Sequence, residues 1–257
     1  MSNGYIHKID KSQIPSCCIL GVNIAAINMK WLLDFTLKNI VNLSGDYMCV
    51  SNVHTTVSAY KNDIYKSVQN GGIMAIPDGG PLSSLGQWRG YRDMQRTTGP
   101  DYMTEIIRIS EVKGYRHFFY GSTQSTLDKL LKHLHAAFPK LQIVGMYSPP
   151  FRNLTNDEDD NIVRQINDAG ADFIWVGLGA PKQEFWMAEH QGKVNGFMVG
   201  VGAGFDYLAG NIVRAPEWMQ KHNLEWLCRL CQDPRRLWKR YMITNALFIW
   251  YAVLQRK

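Results

Sequence analysis

An aspartate at the end of a predicted buried strand is the side chain best suited to acid–base chemistry. The apolar run at residues 73–76 stops at Pro77, and Asp78 follows directly, ahead of Gly79 and Gly80. Such a run predicts a buried strand that enters a sharp turn. Open α/β sheets place their ligands at strand ends, where a partly desolvated carboxylate can act as a general base. Because Pro-Asp-Gly is also ordinary turn chemistry, a turn or helix-capping role for Asp78 stays open.

A second group of polar side chains follows the strand predicted at residues 173–178. A Gly-Ala-Pro turn leads there into Lys182, Gln183 and Glu184, which place a cation, an amide and a carboxylate at one strand end. An ordinary strand–turn–helix junction is the alternative. Gly121 lies between another predicted strand and a helix. Such a junction offers backbone N–H groups to a phosphate, although this one lacks the Walker pattern.

Polar and charged residues that could contact a ligand also lie before and after the Asp-Gly-Gly turn. Asn52 and His54 lie where the strand predicted at residues 47–53 ends. Arg96 lies in a loop, and Asp101 stands near the start of the next predicted helix. Asp101 therefore suits either an N-terminal cap or a ligand contact. An exposed loop arginine is the ordinary interpretation of Arg96.

Strands and helices alternate along most of the chain. The alternation predicts an α/β fold with a Rossmann-like, mostly parallel sheet and flanking helices. The glycines at residues 202–204 match a dinucleotide-binding turn only loosely, and no acidic residue ends a second strand at the expected distance, so a Rossmann dehydrogenase is not favoured. The predicted strands are residues 19–24, 47–53, 73–76, 117–120, 141–146, 173–178 and 196–201. The predicted helices between them are residues 28–43, 56–68, 102–112, 125–138 and 155–170.

The positive charge of the chain is concentrated near its C-terminus. The formal net charge is +6, and residues 215–257 hold eight lysines and arginines against three acidic residues. A basic patch suits anionic lipid, phosphate or nucleic acid. Its aromatic residues cluster beyond the arginines instead of interleaving with them, which disfavours nucleic acid. The length of 257 residues and this charge shift predict a core over residues 1–212 and a basic, aromatic-rich helical appendage over residues 213–257.

The appendage ends in an apolar run at residues 242–254. This run is about thirteen residues long, whereas a membrane span needs ~20. With arginines before it and Trp250 and Tyr251 within it, the segment fits a helix lying on an anionic bilayer surface. A C-terminal helix packed on the core is the alternative. Because the five cysteines form no disulfide pattern and no signal-peptide pattern is present, we expect a cytoplasmic protein, peripheral on the inner face of the plasma membrane.

Several short segments, in order along nearly the whole chain, together match one family pattern. They are Asn52 with His54, Pro77-Asp78-Gly79, Arg96-x-x-Gly99-x-Asp101, Gly179-Ala180-Pro181-Lys182-Gln183-Glu184, Gly200 to Asp206, Arg214-Ala215-Pro216, Leu224-Glu225-Trp226-Leu227 and Pro234-Arg235-Arg236. The chain thereby resembles the WecG/TagA/CpsF family, glycosyltransferase family 26. The resemblance implies an inverting, metal-independent enzyme without a cofactor. It would move a sugar (N-acetylmannosamine, its uronic acid or glucose) from a UDP donor to a polyprenyl-diphosphate-linked sugar, in cell-surface polysaccharide or teichoic acid assembly.

The resemblance also implies roles for individual residues. Asp78 falls on the family's proposed catalytic base, and Arg96 and Gln183 fall on its pocket residues. Arg229 and Arg236 fall on the appendage arginines thought to bind the lipid-linked diphosphate. Further substrate contacts are predicted at Ser51, Asn52, His54, Gly79, Asp101, Gly121, Gly179, Lys182 and Glu184.

Two positions depart from the family pattern. Lys239 stands where an arginine is frequent, with Arg240 next to it, so either cation is a candidate for the diphosphate. Val50 and Ser51 precede Asn52 where members often carry a threonine, so a hydroxyl contact comes from Ser51 or is absent.

Residue chemistry agrees with a transfer reaction. Displacement at an anomeric carbon needs a base for the acceptor hydroxyl and cations for the departing diphosphate. Asp78 can supply the base, and arginines pair with phosphate in a bidentate way. We interpret the acidic run Glu158-Asp159-Asp160 as helix-start chemistry, which leaves the arginines to replace the charge of a metal. The competing hypothesis is a non-catalytic nucleotide-sugar or phosphate-binding module held at the membrane by its appendage. A homo-oligomer stays open.

Overall fold

The apolar runs of the sequence form the strands of one sheet in the computed structural model, which describes residues 5–222 and 224–254. The strands are β1 (Ser16–Ile19), β2 (Val22–Ala25), β3 (Tyr47–Ser51), β4 (Met74–Pro77), β5 (Arg116–Gly121), β6 (Gln142–Tyr147), β7 (Phe173–Gly177) and β8 (Phe197–Gly200). Their order in the sheet is β1-β2-β4-β3-β8-β7-β5-β6. All neighbours run parallel except β1 and β2, which form a hairpin. The predicted α/β fold with a mostly parallel sheet is confirmed.

Helices connect the strands and cover both faces of the sheet. They are α1 (Met29–Leu43), α2 (Val53–Lys61), α3 (Asp63–Gly71), α4 (Gly80–Trp88), α5 (Gly99–Lys113), α6 (Gln124–Ala137), α7 (Asn156–Ala169), α8 (Lys182–Glu189), α9 (Gly204–Leu208), α10 (Glu217–Lys221), α11 (Glu225–Gln232) and α12 (Pro234–Phe248). A 3-10 turn (Lys11–Gln13) precedes β1, and a π-helical segment (Ile249–Leu254) continues α12. Helices α2, α3, α4, α7, α8 and α12 bury apolar side chains on one face. Helices α1, α5, α6 and α9 cover the other.

Alternating side chains of the central strands fill these two layers. Phe173 and Trp175 of β7 pack under α5 and its neighbours, whereas Ile174 and Val176 pack on the opposite side. This period of two is the geometry of a strand that is buried on both faces. It explains why the sequence of β7 is apolar at every one of these positions. The central strands therefore form a rigid base for whatever binds at their ends.

Two predicted elements are divided in the structure. The strand predicted at residues 19–24 is the β1–β2 hairpin, which turns at Leu20 and Gly21, both with positive φ. The helix predicted at residues 56–68 is two helices, α2 and α3. Asn62 separates them because its side chain accepts a hydrogen bond from the Tyr65 N–H and so caps α3.

The appendage helices have two different faces. Leu237, Thr244, Phe248 and Ala252 are buried, and α12 lies against α2. The guanidinium of Arg89 donates to the Ala252 carbonyl at 3.2 Å, which fixes the end of the segment to the core. Other side chains of the appendage helices are large, apolar and exposed, namely Trp218, Trp226, Leu227, Trp238, Met242, Ile243, Ile249 and Trp250. Among the helices of the described residues, none is both long and apolar enough to cross a bilayer.

The strand order identifies the edge at which a site is expected. The chain moves outward from β3 to β4 on one side and from β5 to β6 on the other, with β8 and β7 between β3 and β5. In open α/β sheets, ligands bind at the carboxyl ends of the strands near such a reversal. The ends of β4, β3, β8 and β7 therefore form the candidate crevice.

Strands β5 and β7 approach each other too closely at this edge for side chains between them. The N–H of Ser122 donates to the Gly177 carbonyl at 3.0 Å. A Cβ on Gly121 would lie 2.6 Å from the carbonyl carbon of Gly177. Gly121 also has a φ of 126°, which side chains disfavour. Its glycine is therefore required by packing as well as by backbone conformation.

We expect Gly121→Ala to lower the free energy of unfolding more than Gly90→Ala does. Gly90 has a φ of 100° but no neighbouring atom within 4 Å of the added Cβ, so it carries only the left-handed cost of ~1–2 kcal/mol. Gly121→Ala adds overpacking, which costs a further ~1–3 kcal/mol. Denaturant unfolding of both variants measures the difference. Equal losses would contradict the close approach of β5 and β7.

Candidate active site

The candidate active site is built on the carboxyl ends of β4, β3, β8 and β7. Asp78 follows β4, and its N–H donates to the Ser51 carbonyl at the end of β3, at 2.7 Å. The loop between α4 and α5 is hydrogen-bonded to the end of β4, since the Thr97 N–H donates to the Pro77 carbonyl at 2.8 Å. Gly79 has a φ of 124° and precedes α4, a helix that the sequence did not predict. The backbone of Asp78 is therefore fixed from both sides.

The electrostatic surroundings of Asp78 suit a base. Burial raises the pKa of its half-buried carboxyl to about 6. The guanidinium groups of Arg96 and Arg229 oppose this rise, and Arg214 does so more weakly. The Asp101 carboxylate adds to it. A carboxyl whose pKa lies near neutrality can accept a proton and later lose it again.

Helix α11 contributes a positive charge that acts on Asp78 and a negative charge that pairs with Arg96. Its first residue, Glu225, forms an ion pair with Arg96, in which both side chains are largely buried. The hydroxyl of Tyr207 also donates to Glu225, at 3.3 Å. One turn further along α11, the guanidinium of Arg229 lies over the Tyr207 ring, 5.5 Å from its centre. The structure thus brings the predicted residues Arg96 and Arg229 together around Asp78.

Asp101 takes part in helix capping and in an ion pair. The cap of α5 is Thr98, whose hydroxyl accepts from the Asp101 N–H at 3.2 Å and donates to the Asp101 carboxylate at 2.6 Å. The other carboxylate oxygen pairs with Arg214. Beside Arg96 and Asp101, an open groove of about 570 Å³ lies between α1 and α5, with the apolar side chain of Leu33 in its wall.

Gln183 and Glu184 use their polar atoms inside the protein. The Gln183 amide oxygen accepts from the Gly179 N–H at 3.2 Å. Its NH₂ donates to the Gly200 carbonyl at 3.1 Å and to Glu184 at 2.9 Å. Burial raises the pKa of the Glu184 carboxyl, and hydrogen bonds and the charge of Arg240 oppose the rise. Both side chains are buried, and Gln183 holds the ends of β7 and β8 together from inside the protein.

The end of β3 carries the remaining polar residues of this edge. Ser51 is fully buried and its hydroxyl donates to Gln69 at 2.5 Å. The Asn52 side chain caps α2 by accepting from the N–H of His54, at 3.0 Å, and from that of the next residue. Burial lowers the pKa of His54 to about 4, and the charge of Arg240 adds to the effect. His54 lines a small cavity of about 110 Å³.

The two adjacent appendage cations take different positions. Arg240 is half-buried, and its charge acts on His54 and Glu184. Lys239 is exposed. Arg236 belongs to α12, but its side chain lies outside the described residues. Arg240 is therefore the cation of this pair that reaches the core.

The other predicted residues lie near the same strand ends. Lys182 is exposed at the start of α8, Gly179 lies in the turn after β7, and Gly121 is the buried last residue of β5. Glu158 closes a capping box with Thr155 at the start of α7, as the sequence indicated. No group of three or more His, Cys, Asp or Glu side chains in the described part of the chain is arranged to hold a metal ion.

Sequence reasoning assigned no role to Glu225, Tyr207 or Arg214. For Glu225 a signal was available, since it stands four residues before Arg229 and such residues share a helix face. Arg214 belongs to a segment that matches the family pattern, but only the fold shows that it pairs with Asp101. Tyr207 gave no signal, because only the fold brings it beside α11.

The chain is similar in sequence to known glycosyltransferases. The sequence model of the family described as "Glycosyl transferase WecG/TagA/CpsF family" matches residues 17–257. An N-acetylglucosaminyldiphosphoundecaprenol N-acetyl-beta-D-mannosaminyltransferase of Bacillus subtilis (strain 168) is 28% identical over 218 residues, which cover 84% of this chain and 82% of the relative. The enzyme of the same name from Staphylococcus aureus (strain MW2) is 24% identical over 234 residues, 90% of this chain and 89% of the relative.

We expect the raised pKa of Asp78 to appear in the pH dependence of stability. Between about pH 4 and pH 6 the folded protein holds a proton on Asp78 that the unfolded chain releases, so wild-type stability falls as the pH rises through this window. Asp78→Asn removes this loss and should stabilise the protein by about 2–3 kcal/mol above pH 6, with no gain below pH 4.

Denaturant unfolding of wild type and Asp78→Asn from pH 3.5 to pH 8 measures this difference. Asp93→Asn is the matched control, because Asp93 is exposed. A difference between wild type and Asp78→Asn that does not change with pH would contradict the raised pKa.

Proposed function

This chain belongs to the WecG/TagA/CpsF glycosyltransferase family, and from that premise we propose that it transfers an N-acetyl-β-D-mannosaminyl residue from a UDP donor to an N-acetylglucosaminyl-diphospho-polyprenol. The names of the relatives supply the sugar and the acceptor, and the UDP donor follows from the family resemblance. The observation that carries the proposal is Asp78, a carboxyl with a pKa of about 6 between arginines of the core and of α11.

In the proposed reaction Asp78 takes the proton of an acceptor hydroxyl. The hydroxyl oxygen attacks the anomeric carbon of the donor from the face opposite the UDP. The bond between that carbon and the β-phosphate oxygen breaks, so the configuration is inverted and UDP leaves with the bonding electrons. The base must be ionised at the start, which a pKa of about 6 permits at neutral pH.

Arginines supply the positive charge for the departing diphosphate in this proposal. Arg96 and Arg229 act on the same carboxyl, Asp78, and so lie close to the reacting atoms. Guanidinium groups bind phosphate with two parallel hydrogen bonds. The groove of about 570 Å³ beside Arg96 has the size of an ordinary ligand pocket and leaves room for a sugar. No step requires a metal or another cofactor.

We propose further that the appendage contacts the inner face of the plasma membrane. Its exposed face carries Trp226, Trp238 and Trp250, and tryptophan prefers the boundary between lipid and water. Lys239 and Arg235 are exposed nearby and suit anionic headgroups. An acceptor whose polyprenyl chain stays in the bilayer would then meet the site from the side of α11.

We expect Asp78→Asn to lower turnover by ~10²–10⁴-fold, because asparagine cannot accept the proton. The assay measures UDP release and the mass of the product with a short-chain, water-soluble acceptor. Asp93→Asn serves as the control for loss of a carboxylate. Near-normal turnover in folded Asp78→Asn would remove this residue from the role of base. Donor binding without UDP release in wild type, with acceptor present, would instead favour a non-catalytic binding module.

A second prediction distinguishes the two adjacent cations. Arg240→Met should reduce turnover on the soluble acceptor by ~10²–10³-fold, as does the loss of other preorganised charge stabilisers. Lys239→Met should leave that turnover unchanged, because Lys239 points to solvent, and should weaken binding to vesicles of phosphatidylglycerol. The reverse assignment of the two effects would contradict the position of Arg240.

A further inference from the structure

A buried hydrogen-bond network connects the strand ends of the candidate site. We call it the Glu184 network. Each of its members is between 0% and 3% exposed. The members are Ser51, Gln69, Tyr65, Glu184 and Gln183.

The hydrogen bonds of the Glu184 network converge on the Glu184 carboxylate. The Ser51 hydroxyl donates to the Gln69 amide oxygen at 2.5 Å, and the Gln69 NH₂ donates to the Tyr65 hydroxyl at 2.9 Å. The Tyr65 hydroxyl donates in turn to one Glu184 oxygen at 3.2 Å, and Gln183 donates to the other at 2.9 Å. Every donor points toward Glu184, so the network is complete when this carboxylate is ionised and accepts at both oxygens.

Both ends of the network reach backbone groups of the site. The Ser51 carbonyl accepts the N–H of Asp78 at 2.7 Å. At the other end, Gln183 accepts the N–H of Gly179 at 3.2 Å and donates to the Gly200 carbonyl at 3.1 Å. The network therefore joins the turn after β4 to the turn after β7, across β3 and β8.

We propose that Tyr65 and Gln69 of α3 are positioning residues for the transfer reaction, holding Asp78 and the Gly179 turn at a fixed separation through the Glu184 network. The role in catalysis rests on the proposed function. Apolar side chains could fill the same volume without burying polar groups, which are costly to desolvate. A fully satisfied polar network, by contrast, specifies one arrangement of its neighbours. Displacement of a reacting group by about 1 Å can cost 10²-fold in rate.

The test compares Tyr65→Phe with Tyr47→Phe in the full chain. Tyr47 is equally buried, and its hydroxyl donates at 2.6 Å to the Val68 carbonyl of the same helix, α3, but takes no part in the Glu184 network. Each variant loses one buried hydroxyl, but Tyr65→Phe leaves two buried side chains, Gln69 and Glu184, without that partner, so its melting temperature should fall further than that of Tyr47→Phe. Hydrogen–deuterium exchange reports on the backbone N–H groups of Asp78 and Gly179, and turnover with the soluble acceptor reports on the reaction.

We expect Tyr65→Phe to speed exchange in peptides that contain Gly179 and Asp78 and to lower kcat by ~10–100-fold with little change in KM. Tyr47→Phe should change neither. Gln69→Met should reproduce the effect on kcat, and the double variant should lose no more than either single variant, because both residues act through one network.

Unchanged exchange at Gly179 in Tyr65→Phe would overturn the connection across the sheet. Faster exchange with normal kcat would overturn the positioning role, as would equal losses of kcat in Tyr65→Phe and Tyr47→Phe. If the wild-type protein itself transferred no sugar, the proposed function would fail, and the positioning role would fail with it. The exchange measurement would still decide whether the network connects the two turns.

Discussion

Burial of carboxylates at the end of a parallel sheet, with the positive charges that must accompany them, is the constraint on which this site depends. Burial raises the pKa of both Asp78 and Glu184. An ionised carboxylate in such surroundings is costly unless charges or hydrogen bonds compensate it. For Asp78 the compensation comes from Arg96 of the core and Arg229 of α11, and for Glu184 it includes Arg240 of α12. The appendage therefore completes the electrostatics of the core, beyond any contact with lipid.

Helix α11, which supplies Arg229, also supplies a negative charge. Glu225 of α11 pairs with Arg96, so any diphosphate that uses this guanidinium competes with a carboxylate for the same donors. Glu225 and Arg229 stand one helical turn apart. A movement of α11 that frees Arg96 consequently shifts Arg229 relative to Asp78 as well. An anion that binds Arg96 would therefore compete with a residue of the same helix that carries Arg229.

The sequence was sufficient for strands β3 to β8, because uninterrupted apolar runs such as β7 occur where both faces are covered, but it did not divide the β1–β2 hairpin into two strands. The turn after β4 indicated Asp78, and the family resemblance indicated Arg96. The sequence could not predict the Glu184 network. Tyr65 and Gln69 are four residues apart and resemble any half-polar helix face, and their partners lie on β3 and α8, more than a hundred residues away for Glu184. Long-range hydrogen-bond partners leave no local pattern, so predicted site residues such as Gln183 could be named from the sequence without their contacts being known.

The appendage illustrates why the sequence left two interpretations of its aromatic residues open. Adjacent positions of α12 and its continuation face different surroundings: Leu237 is buried beside exposed Trp238, and Phe248 is buried beside exposed Ile249. Apolar residues on all sides of a helix normally indicate complete burial, yet the core covers only one side here. Large exposed apolar surfaces commonly serve as contacts with partners or membranes. The inward face holds Arg240 next to His54 and Glu184, so a lipid surface that binds the outward face would act on a helix already fixed to the chemical groups of the site.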